Sequence, residues 1–287
     1  MTGSDLMKML FAQQECLINV LDVGAIGIDE KEIVPYDTLV KAGHARVVGF
    51  EPDAAGCKEL NLKYGTPHLF LPYFVGDGKP ATFYETNWAP TGSLFKPNQP
   101  LLEKFQNLDE LTTLKAEHKA VTKCLDDMPE VGDIDFVKID AQGAEFAVFQ
   151  GGERVLRNAM LVQTEVEFVE MYENQPLFAD VDRLLRSYGY QFHTFNGFGG
   201  RCFKPLIAFN DINKPRRQVL WSDAIYVKDW MHFDDQPIDK LKKLAVLLHE
   251  VIQSGDLCHL ALQVIDARSN SDFAPRYLQA LTAPNEG

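Results

Sequence analysis

The sequence predicts an α/β domain built on a mostly parallel sheet with flanking helices. Three observations carry that expectation. Short continuous apolar runs, the mark of strands buried on both faces, alternate with amphipathic stretches: CLINVLDVG at 16–24, ARVVGFEP at 45–52, IDFVKID at 134–140 and LVQTEVEF at 161–168. VLDVGAIG, residues 20–27, is followed by VVGFEPD, residues 47–53, at the spacing of neighbouring strands in a nucleotide-binding fold. Acids fall where these strands end, at Asp22, Glu51, Asp77, Asp140 and Glu165, and ligands of open α/β sheets sit outside those carboxyl ends.

Residues 6–14 read as a short amphipathic lead-in helix before the first strand. A helix over 32–42 follows, its first turn near Pro35. After the second strand, residues 53–64 form a helix with Asp53 as N-cap, and HLFLPYFVGD, 68–77, is a third strand with a proline inside it. GDGKPATFYET, 76–86, turns into an extra strand. Residues 86–99 are rich in turn formers and aromatics and read as a long loop, a kind of segment that tends to be functional. Residues 112–121 alternate weakly, and AEFAVFQGGERVL, 144–156, reads as one amphipathic helix. A helix at 181–187 and strands at 189–195 and 222–227 complete a sheet with right-handed crossovers. The tail, 239–267, suits two helices hinged at Ser254 and Gly255, which would pack on the sheet or form a homodimer contact. The resulting organisation is an N-terminal helix over 1–15, one domain over 16–230 and a C-terminal helical extension over 231–287.

The charge balance, 28 Lys and Arg against 41 Asp and Glu for a net −13, argues against a nucleic-acid backbone or an anionic membrane as the main partner. An anionic polymer is disfavoured unless a basic patch around Lys214, Arg216 and Arg217 gathers it. The five cysteines are scattered, odd in number and form no CxxC pair, which reads as reduced thiols in a cytoplasm-like compartment. No signal-peptide succession is visible, and no apolar run approaches the ~18 to 20 residues of a membrane helix, so the expectation is a soluble cytoplasmic protein without a membrane span.

In the first strand–turn unit, Gly24 and Gly27 let backbone approach a ligand where a Cβ would collide, and the Glu51 carboxylate can accept both hydroxyls of a ribose. The turn holds two glycines instead of the three of a dinucleotide fingerprint, and no GxxxxGK[ST] loop occurs in the chain, which disfavours a pyrophosphate cradle. A cofactor with an adenosine, no phosphates and an amino-acid end suits the loop better, and S-adenosylmethionine meets that description. A dinucleotide-dependent oxidoreductase stays open as a second reading, and a cofactor-binding interaction module without catalysis as a third.

Six stretches resemble the FkbM family of class I methyltransferases: DVGAIG at 22–27, GFEPD at 49–53, FYET with TGSL at 83–86 and 91–94, IDFVKIDAQGAE at 134–145, and SDAIYVKD at 222–229. The resemblance covers roughly residues 16–230. It implies a Rossmann-like seven-stranded sheet with an antiparallel last strand, and transfer of a methyl group from S-adenosylmethionine to a hydroxyl of a sugar, glycan or polyketide-like metabolite. Carried over by position, Asp22, Gly24, Ala25 and Gly27 would line the methionine part, Glu51 would hold the ribose, and Pro52 and Asp53 would flank that pocket. Gly76 and Asp77 would stand against the adenine, and Ser93 near the cofactor. Ile26 stands where family members often carry Asn.

Methyl transfer to a hydroxyl needs an in-line approach and a base for the departing proton. Asp140 is the candidate base, with an N-cap of the following helix as its plain alternative. Lys138 shares its strand face and could orient or activate the same hydroxyl, or simply pair with a carboxylate. Glu165 and Glu167 share a face of the next strand, and Asp140 with Glu165 could bind a divalent cation, although no third ligand is identifiable from the sequence. Glu167, Tyr172, His193 and Asn196 are the candidate acceptor contacts, with Trp88, Phe95, Tyr172 and Phe198 as aromatics able to stack on a sugar ring.

Overall fold

The computed structural model describes residues 2–11, 16–25 and 34–282. Helix α1 (Gly3–Phe11) leads into β1 (Ile18–Val23), and β2 (Ala45–Phe50) follows after the short helix α2 (Asp37–Lys41). Of the helix expected over 32–42, residues 32–33 lie outside the described ones. Both strands are buried at nearly every position, as their unbroken apolar runs require. Helix α3 (Ala54–Tyr64) starts as expected, since Asp53 Oδ2 accepts from the Gly56 N–H at 2.7 Å. Strand β3 (Leu69–Leu71) is much shorter than the expected span of 68–77. Pro72 has no N–H with which to continue the ladder.

The extra strand is β4 (Pro80–Thr86), which pairs antiparallel with β5 (Leu114–Val121) in a separate two-stranded ribbon. Between them lie the one-turn helices α4 (Gln99–Leu102) and α5 (Leu108–Leu111). Strand β6 (Phe136–Ile139) leads into α6 (Glu145–Gln150) and α7 (Glu153–Asn158), two helices where one was expected over 144–156. The break has a packing cause: a Cβ on Gly151 would lie 2.0 Å from the Gly76 carbonyl oxygen, so two backbones cross at the junction. Then come β7 (Leu161–Glu167), α8 (Phe178–Ser187), β8 (Tyr190–Gly199) and β9 (Trp221–Lys228).

The seven-stranded sheet has the order β3-β2-β1-β6-β7-β9-β8. All pairs from β3 through β7 are parallel, and β9 runs antiparallel to both β7 and β8. The order reverses between β1 and β6, the switch point where ligands of such sheets collect.

The tail forms α9 (Ile238–Glu250) and α10 (Gly255–Ser269), divided at the predicted hinge, and then a third helix, α11 (Phe273–Thr282). The last helix carries no usual start signal, because its N-terminal N–H groups are satisfied by a residue of the preceding helix. Asp266 accepts from Phe273 N at 2.9 Å and from Ala274 N at 2.8 Å. Among the described residues no helix is long and apolar enough to cross a membrane.

Leu244, Leu247, Leu248 and Leu262 of the tail share one apolar cluster with Val20, Val47, Phe136 and Ile225 of the sheet, while α6 and α8 cover the other face. A polar tie adds to the packing: fully buried Asp135 accepts from Lys240 Nζ at 2.9 Å, Lys243 Nζ at 2.8 Å and the Asn19 N–H at 2.8 Å. Leu244→Ala is expected to destabilise the protein by about 2–5 kcal/mol, read from the urea midpoint of the whole chain. A transition confined to the tail, with the sheet unfolding at its original midpoint, would contradict the shared core.

Candidate active site

At the switch point a cavity of about 610 Å³ opens, lined by Asp22, Gly24 and Ala25 after β1, Lys138 and Asp140 of the β6 end, Thr194 and Asn196 of β8, Asp223 of β9 and the turn at Val251 to Gln253. Its floor is an ion pair. Asp22 is fully buried and stands opposite Lys138 in the β1–β6 register, with Nζ 3.3 Å from Oδ1. The Tyr36 hydroxyl donates to the other Asp22 oxygen, and Lys138 also donates to the Gly24 carbonyl at 3.3 Å. Burial alone would lower the Lys138 pKa, but Asp22 and then Asp140 outweigh it and hold the ammonium above its ordinary value.

Gly24 has φ +83°, and a Cβ there would lie 2.1 Å from the Asp140 carbonyl oxygen, so only glycine fits this crossing. The N–H groups of Gly24 and Ala25 both donate to the Phe50 carbonyl, at 3.3 and 3.2 Å, which brings the turn beside the end of β2. Ile26 and Gly27 lie outside the described residues. Glu51 is buried, its Oε1 accepts from the Asp53 N–H at 2.7 Å, and burial pushes its carboxyl up to about 7. Glu51, Pro52 and Asp53 stand next to the cavity without lining it, and Asp53 is engaged as the α3 cap. Gly76 and Asp77 are not among its lining residues either: Gly76 crosses Gly151, and Asp77 pairs with Lys79 at 2.5 Å.

A second group forms around Gln142, which the sequence reading passed over. Its Nε2 donates to Asp140 Oδ1 at 2.8 Å and to Glu165 Oε2 at 2.9 Å. Its carbonyl accepts from Ser93 Oγ at 2.5 Å, and its Oε1 lies 3.1 Å from the Tyr172 hydroxyl. Gln142 is held in the left-handed region, φ +51°, followed by Gly143 at φ +92°. The Gln–Gly pair is the turn signal that could have marked it.

Glu145 was also missed; its Oε1 accepts from Ala141 N at 2.7 Å and Gly143 N at 3.2 Å. The carboxylate that serves the backbone at this helix start is therefore Glu145, and Ala144, not Asp140, occupies the N-cap of α6. One oxygen each of Asp140, Glu145 and Glu165 lie within 4.8 Å of one another, a spacing at which the three could hold a metal ion, with Glu145 as the third acid that the sequence did not identify. Burial first, and the neighbouring acids second, push Glu145, Glu165 and Glu167 above the usual carboxylate range.

Of the candidate acceptor contacts, Asn196 lines the cavity. His193 sits half-buried at a bulge of β8, outside the lining, and burial lowers its pKa. Glu167 and Tyr172 are 1% and 2% exposed, so the Tyr172 ring has no free face for stacking and its hydroxyl serves Gln142 and the Thr91 carbonyl. Asp223 also lines the cavity, with Oδ2 accepting from Gln163 Nε2 at 3.0 Å. Lys138→Met would strand buried Asp22 and is expected to cost about 3–5 kcal/mol of stability; adding Asp22→Asn should recover a large part, measured by urea unfolding of both variants.

A family model described as the methyltransferase FkbM domain matches residues 22–192. No curated protein matches the chain significantly. Solved structures that align with it include magnesium protoporphyrin IX methyltransferase from Synechocystis PCC 6803 with bound SAM, at 14% identity over 79% of this chain and 78% of that one, TM-score 0.35. A protein of the NADB-Rossmann superfamily from Streptococcus agalactiae aligns at 9% identity over 91% and 96%, TM-score 0.37. The 16S rRNA (adenine(1408)-N(1))-methyltransferase from Catenulisporales acidiphilia aligns at 13% identity over 80% and 95%, TM-score 0.32. At these TM-scores the three likenesses carry no argument. The family match spans more than half of the chain, takes in the glycine turn, the Glu51 strand end and the IDAQGAE block, and sets the dinucleotide reading aside. The chain belongs to the FkbM methyltransferase domain family, whose methyl donor is S-adenosylmethionine.

Proposed function

We propose that the protein is an O-methyltransferase acting on a hydroxyl of a sugar, glycan or polyketide-like metabolite. The observation that carries this reading is Asp140, a carboxylate on the wall of an open cavity, held by Gln142 beside Glu165. The residues present fit the donor. Gly24 lets the turn cross the Asp140 backbone at the cavity, and Asp22, Asp140 and Asp223 outnumber Lys138 around it, which suits a cationic sulfonium. Gly24 and Ala25 would hold the methionine end and Glu51 the ribose hydroxyls.

Bound S-adenosylmethionine supplies a methyl group on positively charged sulfur. Asp140 takes the proton of the acceptor hydroxyl, and the donor, when bound, would supply its methyl group to that oxygen and depart as a neutral thioether. Gln142 fixes Asp140 for this step by bridging it to Glu165 through one amide nitrogen. Lys138, kept protonated by Asp22 and Asp140, orients and balances charge and does not abstract the proton. Asn196, Thr194 and Asp223 contact the acceptor, while Tyr172 and Glu167 support the wall from behind.

Asp140→Asn should lower kcat by about 10²–10⁴-fold and leave S-adenosylhomocysteine affinity within a few-fold, measured by labelled-methyl transfer and calorimetry. Analysis of labelled product from a glycan and metabolite extract tests the acceptor class: a methylated nitrogen would overturn the hydroxyl reading, and cofactor binding without any turnover would favour the non-catalytic module.

The Glu51 carboxyl, raised to about 7 by burial, gives a pH signature. Below that value it is protonated and loses acceptor capacity; above it the carboxylate accepts both ribose hydroxyls. S-adenosylhomocysteine affinity should therefore rise as pH increases from roughly 6 to 8, and Glu51→Gln should flatten the dependence.

A further inference from the structure

Residues 200–220 connect β8 to β9 without regular helix or strand, yet the segment is tied down. The Lys204 N–H donates to the Lys104 carbonyl at 2.8 Å, and the Phe203 ring stacks on Phe105 at a centroid distance of 4.5 Å. Although anchored, the loop turns apolar side chains outward: Leu206 is 61% exposed, Ile207 53% and Phe209 87%. Phe209 and Asn210 both lie in the left-handed region, φ 54° and 56°, which a bulky residue rarely adopts, so the tip is strained while its ring stands in water. Close by in the chain, Lys214, Arg216 and Arg217 are exposed and form no ion pair among the described residues. In a chain of net charge −13, residues 201–217 carry five basic side chains and one acidic one.

We propose that this loop docks the protein on an anionic phospholipid surface, with Leu206, Ile207 and Phe209 entering the acyl boundary and Lys214, Arg216 and Arg217 at the headgroups. An apolar tip flanked by exposed cations is complementary to that interface, where burial of apolar area and attraction to anionic lipid add together. Leu206 and Ile207 are aliphatic and offer no stacking face to a nucleic-acid base, which favours lipid over a polynucleotide. The negative charge of the rest of the chain opposes binding elsewhere on its surface, so contact is confined to the loop. The loop joins the two strands that carry cavity residues: β8 ends at Gly199, just past Asn196, and β9 begins at Trp221, just before Asp223. An acceptor hydroxyl carried on a membrane lipid would thereby reach the site; this consequence rests on the methyl-transfer reading, and the docking itself does not.

Sedimentation of the full chain with vesicles tests the proposal, using phosphatidylcholine alone or with about a third phosphatidylglycerol. The bound fraction on the anionic vesicles is expected to exceed that on neutral ones at least about tenfold, and to fall when salt rises from about 0.1 to 0.5 M. Ile207→Asp with Phe209→Asp should abolish binding, and Lys214→Glu with Arg216→Glu should remove the preference for anionic lipid. Far-UV circular dichroism and the unfolding midpoint, unchanged in both variants, establish that the fold is intact. Equal binding to both vesicle types, binding insensitive to the variants, or equal retention on poly(U) would each overturn the proposal. So would a wild-type dimer that Phe209→Asp dissociates, which would make the patch a self-association surface. Failure of the wild type to bind S-adenosylhomocysteine would remove the methyl-donor reading and leave the vesicle result standing.

Discussion

Asp22 and Lys138 face each other across β1 and β6, the two strands that flank the reversal of sheet order, and the rest of the site is built on that contact. A buried ion pair gains little net stability over an apolar one, because desolvation offsets most of the attraction. Its effect here is positional. Lys138 reaches from Asp22 to the Gly24 carbonyl, and Gly24 in turn packs against the Asp140 backbone so closely that no side chain fits. Tyr36 closes the arrangement by donating to the second Asp22 oxygen. One pair of charges thus sets both the glycine turn and the height of the carboxylate on the neighbouring strand.

The acids above that floor form a second layer with a different logic. Asp140, Glu145 and Glu165 come from a strand end, a helix start and the next strand, and their mutual repulsion in a buried setting needs compensation. Part of it comes from neutral donors: the Gln142 amide bridges Asp140 and Glu165, and backbone N–H groups occupy Glu145. Gln142 is itself clamped by Ser93 and Tyr172, so residues far apart in the chain serve the same two carboxylates. Burial, and after it the neighbouring acids, push Glu145, Glu165 and Glu167 toward their protonated forms.

Much of the architecture was legible. The runs that became β1, β2, β6 and β7 read as buried parallel strands because both faces are covered, and Asp53 announced its helix by its own side chain. The failures share a cause, which is that the deciding partner lies elsewhere in the chain. The helix over 144–156 breaks where Gly151 meets Gly76, and α11 is capped by Asp266 from the helix before it. Strand β3 is the exception, since Pro72, which ends it, is itself a local signal in the sequence. At the site, Asp22, Gly24, Lys138, Asp140 and Asn196 do meet around one cavity, while Asp77 and His193 are not among its lining residues.

By itself the sequence determined the fold class, the carboxyl-end placement of the acids and the glycine turn, because apolar period, strand-end position and the absence of a Cβ are local properties of the chain. Tertiary structure alone decided which of those acids share a pocket, that Gln142 links them, and that the loop joining β8 to β9 leaves Leu206, Ile207 and Phe209 exposed. Strand order and register bring residues more than a hundred positions apart, such as Asp22 and Lys138, into direct contact, and no local pattern encodes that distance.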